Sequence, residues 1–147
     1  MEYKKTSKIY YLEYTNEPQI LTQSEVTERV NKLFNNSHYT LSAYDFKSHT
    51  LGDSNIFTRK IRIQYNLSNE DYAFTLTHEL VHINYVTRSE RFCEFQAFKL
   101  LYESNDEYLV YVANLYAKDV LNKRTLMSEE YDCSGYIEIY LKERGII

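Results

Sequence analysis

The 147-residue chain has no tryptophan, one proline (Pro18) and three scattered glycines, Gly52, Gly135 and Gly145. A phosphate-binding loop and a dinucleotide fingerprint both need glycines set close together, so both are excluded. The lone proline leaves no Pro-rich linker. Two cysteines, Cys93 and Cys133, are too few for a disulfide framework and form no CxxC pair, so buried reduced thiols are expected. No run approaches the roughly 20 apolar residues of a membrane span. Residues 1–6 lack the apolar stretch of a secretory signal, and a cytoplasmic protein is expected.

Positive charge is also short, with 17 Lys/Arg against 21 Asp/Glu and a net charge of −4. Residues 1–69 carry nine basic and seven acidic side chains, while residues 70–147 carry eight and fourteen. Nucleic-acid domains usually show the opposite balance, so no direct nucleic-acid contact is expected. What is present is 44% hydrophobic residues and sixteen tyrosines. That is enough to bury a core in one domain, residues 1–147.

The first half reads as mixed. Residues 9–14 are β-branched and aromatic, consistent with a strand. Thr22 and Glu25 have capping-box spacing, and Val26, Val30, Leu33 and Phe34 follow on one helical face. Residues 39–46 suit a second strand. Ile61, Ile63 and Tyr65 alternate with Lys60, Arg62 and Gln64, a half-buried strand with a basic outer face. From Ser68 the period becomes helical, with an apolar stripe of Ala73, Leu76, Leu80 and Ile83. Thr87 and Glu90 form a second capping-box pattern, opening a helix with Cys93, Ala97, Leu100 and Leu101 on one face. Two more helices are expected over residues 106–121 and 130–144, the last closed by Gly145. The fold class is α+β: a small sheet from the N-terminal half, packed on a helical C-terminal half.

His78-Glu79-Leu80-Val81-His82 is an HExxH pattern. Positions i and i+4 of a helix share a face, so both imidazoles can reach one ion. Zinc accepts such ligands and in catalytic sites keeps a position open for water. Glu79 suits a general base acting on that water. Random order of 4 His and 15 Glu yields the pattern about 0.01 times per chain, which favours a metal site over coincidence. The apolar neighbours also place this helix in the interior, where bare imidazoles and a carboxylate would be costly.

A third ligand is expected from the next helix. If that helix starts after Thr87 and folds straight back, Glu94 lies roughly 10 Å along it, level with the two histidines. Glu90 lies only about 4–5 Å along and has capping work available. The expected metal set is therefore His78, His82 and Glu94, with Glu90 as the alternative.

The run Phe74-Thr75-Leu76-Thr77-His78-Glu79-Leu80-Val81-His82 resembles the Phe-Thr-Leu-Ala-His-Glu-Leu-Gly-His signature of ImmA/IrrE-type metallopeptidases. The strand at Ile61-Arg62-Ile63 and the helix at Ala97-Phe98-Lys99-Leu100-Leu101 are similar to that family's flanking elements. The similarity spans about residues 56–101. Val81 replaces the usual glycine, and Phe92 falls where a glutamate is expected. Cys133-Ser134-Gly135-Tyr136-Ile137 is more weakly similar to the helical tail of zinc domains in ArdC-type antirestriction proteins.

The resemblance implies a zincin-like fold with HExxH on a central helix. It further implies a zinc-dependent endopeptidase of phages or mobile elements, whose substrate is a helix-turn-helix transcriptional repressor. The alternative is a non-catalytic zinc-containing regulatory or binding protein of anti-repressor or antirestriction type. Tyr85 and Tyr136 are alternatives for stabilising an oxyanion, and His38 and His49 sit in expected loops. Arg59, Lys60 and Arg62 are read as blocking edge-to-edge strand pairing. Tyr108, Tyr111 and Tyr116 are read as packing residues rather than a base-stacking platform.

Overall fold

A computed structural model describes residues 2–5, 10–13, 20–35, 38–122 and 128–147, the first two segments as backbone only. The fold is α+β. A two-stranded antiparallel ribbon, β1 (Glu2–Lys5) with β2 (Tyr10–Glu13), precedes α1 (Gln23–Asn31). A three-stranded sheet follows, from β3 (Thr40–Tyr44), β4 (Gly52–Asn55) and β5 (Lys60–Gln64) in the order β3-β5-β4. β3 runs parallel to β5 and β4 antiparallel to it. Helices α2 (Asn69–Tyr85), α3 (Glu90–Tyr102), α4 (Glu107–Asn122) and α5 (Ser134–Glu143) complete the described elements.

Local chemistry accounts for the boundaries. Thr22 and Glu25 satisfy each other's backbone N–H groups in a complete capping box, and Val26 and Val30 are fully buried. Ser68 caps α2 by accepting from Asp71 N–H, with Glu70 and Asp71 in the first turn where the helix dipole favours them. Ala73, Leu76, Leu80 and Ile83 are all completely buried, so the apolar stripe is the spine of the core. On β5, Ile61 and Ile63 point into that core. Gly145 follows α5 at φ 71°, the left-handed conformation that closes many helices.

Two expectations need correction. The helix after α2 begins two residues later than its sequence suggests. Ser89, not Thr87, is its cap, accepting from Phe92 N–H, while Thr87 Oγ1 accepts from Ser89 N–H. Glu90 is therefore the first helical residue and has no capping role. Tyr65 lies beyond the end of β5 and is exposed rather than continuing its buried face.

The outer face of the sheet is less basic than its sequence suggests. The Arg62 guanidinium pairs with both carboxylate oxygens of Asp53 on β4 and lies 4.2 Å from the Tyr44 ring centre. Its charge is thus matched within the fold. Tyr108 is buried among the helices with its hydroxyl on Glu70.

β4 lies tightly against α2. A Cβ on Gly52 would stand 2.8 Å from Thr75 Cγ2, 3.1 Å from the Arg62 carbonyl and 3.5 Å from Glu79 Cγ. Gly52→Ala is expected to destabilise the fold by about 1–3 kcal/mol through this overpacking, measured by urea unfolding. Gly135, whose added Cβ would meet nothing within 4 Å, is the control, and Gly135→Ala should cost nothing.

Candidate metal centre

His78, Glu79 and His82 all lie in the buried middle and last turns of α2, at 6%, 6% and 8% exposure. The one-turn spacing brings the two Nε2 atoms to 3.1 Å from each other. Glu90 Oε1 lies 3.4 Å from His78 Nε2 and in direct contact with His82 Nε2. Three donor atoms from α2 and the first turn of α3 thus converge. The outer ring edges are held separately: His78 Nδ1 lies 2.8 Å from Glu94 Oε2, and His82 Nδ1 lies 2.7 Å from the Thr87 carbonyl.

Glu94, expected as the third ligand, is on the opposite edge of the His78 ring from the Nε2 pair. The carboxylate facing both Nε2 atoms is Glu90. A helix start at Thr87 would give Glu90 a capping role. With Ser89 as the cap, the first turn of α3 is free to face the histidines.

Cys93 enters the same neighbourhood. One ligand atom from each of His78, His82 and Cys93 lies within 4.8 Å of the others, and all three residues are buried. This group can hold a metal ion. The chemistry of the donors fits one: two imidazole nitrogens, a carboxylate and a sulfur are ligands that divalent transition metals accept.

A cleft of about 990 Å³ is lined by His78, Glu79, Glu90 and Glu94, with His49, Gly52, Tyr116 and Tyr131 also among its walls. Ser54 on β4 donates to Glu79 Oε1 at 2.8 Å and fixes one carboxylate oxygen. Tyr131 hydrogen-bonds to Glu90, and its ring lies 6.4 Å from that of His78. Tyr85 and Tyr136 do not line the cleft. The Tyr85 hydroxyl accepts from Gln96, and Tyr136 packs near Phe95. His38 is exposed and its carbonyl accepts from Arg59, whereas His49 reaches the rim. Cys133 is buried at the start of α5, 3.3 Å from the Tyr116 hydroxyl.

Sequence reasoning missed Ser54 and Tyr131. They lie 25 residues before and 52 after Glu79, so no local spacing connects them to the motif.

The electrostatics follow from burial and pairing. Burial pushes the Glu79 carboxyl above the usual range, against the pull of His78 and the Ser54 hydrogen bond. That is the direction a general base needs. Burial opposes charge on His78, but Glu90 and Glu94 overcome it and raise its pKa to about 10. Burial also disfavours the Glu90 carboxylate, yet hydrogen bonds from His78, His82 and Tyr131 hold it well below the usual range. The Cys93 thiol is pushed up by burial and by the nearby Glu90, Glu79 and Glu94 charges. In the metal-free protein a cation must displace the His78 proton, so metal affinity rises with pH.

Comparison with known families, curated proteins and solved structures finds no match for this chain. Among the described residues, no helix is long and apolar enough to cross a membrane.

Proposed function

We propose that the chain is a zinc-dependent endopeptidase with a zincin-like arrangement around α2. One observation carries this reading. Glu90 Oε1 faces the paired Nε2 atoms of His78 and His82, with Glu79 beside them on the floor of an open cleft. His78, His82 and Glu90 would hold the ion. Zinc bound there would supply Lewis acidity and lower the pKa of a water to about 7.

The chain's own residues then divide the work. Glu79, with one oxygen fixed by Ser54, takes the proton of the attacking water and delivers it to the leaving amine. Tyr131 stands at the cleft wall, where its hydroxyl donates to Glu90 and helps hold that carboxylate toward the histidines. The resemblance to ImmA/IrrE-type enzymes supports a helix-turn-helix transcriptional repressor as the protein substrate.

A specific observation favours a second reading. If Cys93 joins His78 and His82 as a ligand alongside Glu90, the site has four protein donors and no open position. The protein would then be a regulatory zinc protein without turnover. Metal analysis tests what the two readings share. About one zinc per chain is expected in the wild type, lost in His78→Ala and His82→Ala. Undiminished metal in both variants would overturn the site. Cys93→Ser separates the readings, since an open catalytic site retains its zinc in that variant.

A further inference from the structure

The two histidines are supported differently. His82 Nδ1 faces a backbone carbonyl, whereas His78 Nδ1 faces a carboxylate that is itself held by another side chain. That side chain is Tyr116 of α4, whose hydroxyl hydrogen-bonds to Glu94 and lies 3.3 Å from Cys133 Sγ. The Tyr116 ring is stacked on Phe74 of α2, with centroids 3.9 Å apart and planes 14° from parallel. The Glu94 side chain is only 13% exposed.

We infer that Tyr116 and Glu94 form a positioning pair that fixes His78 in one tautomer and orientation for metal binding. Nε2 can present a lone pair to an ion only when the ring proton sits on Nδ1. Glu94 accepts that proton's hydrogen bond and makes the imidazole a stronger donor. Tyr116, its ring locked by Phe74, donates to Glu94 and stops the carboxylate from rotating toward Nε2. This inference rests on the proposed zinc site. It adds that affinity depends on residues that do not touch the ion.

The test uses the full chain, with zinc affinity measured by chelator competition and coordination read from the visible spectrum of the cobalt(II)-substituted protein. Glu94→Gln is expected to weaken zinc binding about 10–100-fold while leaving the cobalt bands at wild-type intensity. Tyr116→Phe should weaken it in the same direction. The double variant should be no weaker than Glu94→Gln alone, because one residue acts through the other.

Unchanged affinity in Glu94→Gln, or full additivity in the double variant, would overturn the pair. So would cobalt bands altered as in Glu90→Gln, which would make Glu94 a ligand. If Glu94→Gln does not fold, Tyr116→Phe, lacking one hydroxyl, carries the affinity test, and wild-type affinity there would overturn the inference. A wild type that binds no zinc would overturn the proposed function as well. Zinc binding by the wild type with no effect of Glu94→Gln would overturn this inference alone.

Discussion

Glu79→Gln is expected to slow peptide-bond cleavage at least 10²-fold while the chain stays folded and keeps its zinc, the usual scale of a lost general base. The substitution keeps the shape of the side chain, and its amide oxygen can still accept from Ser54 Oγ, now 2.8 Å from Glu79 Oε1. Tight packing of Glu79 Cγ against β4 is also preserved. What disappears is the carboxylate proposed to take the proton from water. A time course of substrate cleavage at matched zinc occupancy measures the effect. Equal rates for the two proteins would remove Glu79 from the chemistry.

Glu90→Ala is expected to weaken zinc binding by more than about 100-fold, beyond the cost of losing a hydrogen-bond partner of a ligand. It removes the carboxylate that faces both Nε2 atoms and leaves two buried imidazoles with no anion between them. The helix itself should survive, because Ser89 and not Glu90 caps α3. Chelator competition gives the affinity, and far-ultraviolet circular dichroism checks the fold. Retention of wild-type affinity would assign the third position to another donor, such as Cys93, which lies within 4.8 Å of both histidines.

Much of the scaffold was legible because its signals are local. The capping box at Thr22, the cap at Ser68 and the four-residue apolar stripe of α2 each lie within a few turns of chain. The alternation of Ile61 and Ile63 likewise marks β5 without reference to anything distant. β4 was not legible. Gly52, Asp53, Ser54 and Asn55 have low strand propensity, and they form a strand because β5 offers an edge and Asp53 can pair with Arg62.

The site divides in the same way. HExxH fixes His78, Glu79 and His82 by one-turn spacing alone. The carboxylate that meets them depends on where α3 starts, and Thr87 and Ser89 are both competent caps two residues apart. A start at Thr87 brings Glu94 level with the histidines, whereas the start at Ser89 brings Glu90 to the paired Nε2 atoms and Glu94 to His78 Nδ1. Residues from other elements, such as Ser54 and Tyr131, reach the cleft only through the tertiary fold.

Hydrolysis at this centre is tested most directly by the appearance of new peptide N-termini. A mixed peptide library and a helix-turn-helix repressor would be incubated with the zinc-loaded wild type, with the same protein after chelation, and with the chelated protein after zinc is restored. Cleavage by the zinc-loaded protein, lost on chelation and recovered with zinc, is the predicted result. Zinc-loaded wild type that produces no new N-termini from either substrate would contradict it.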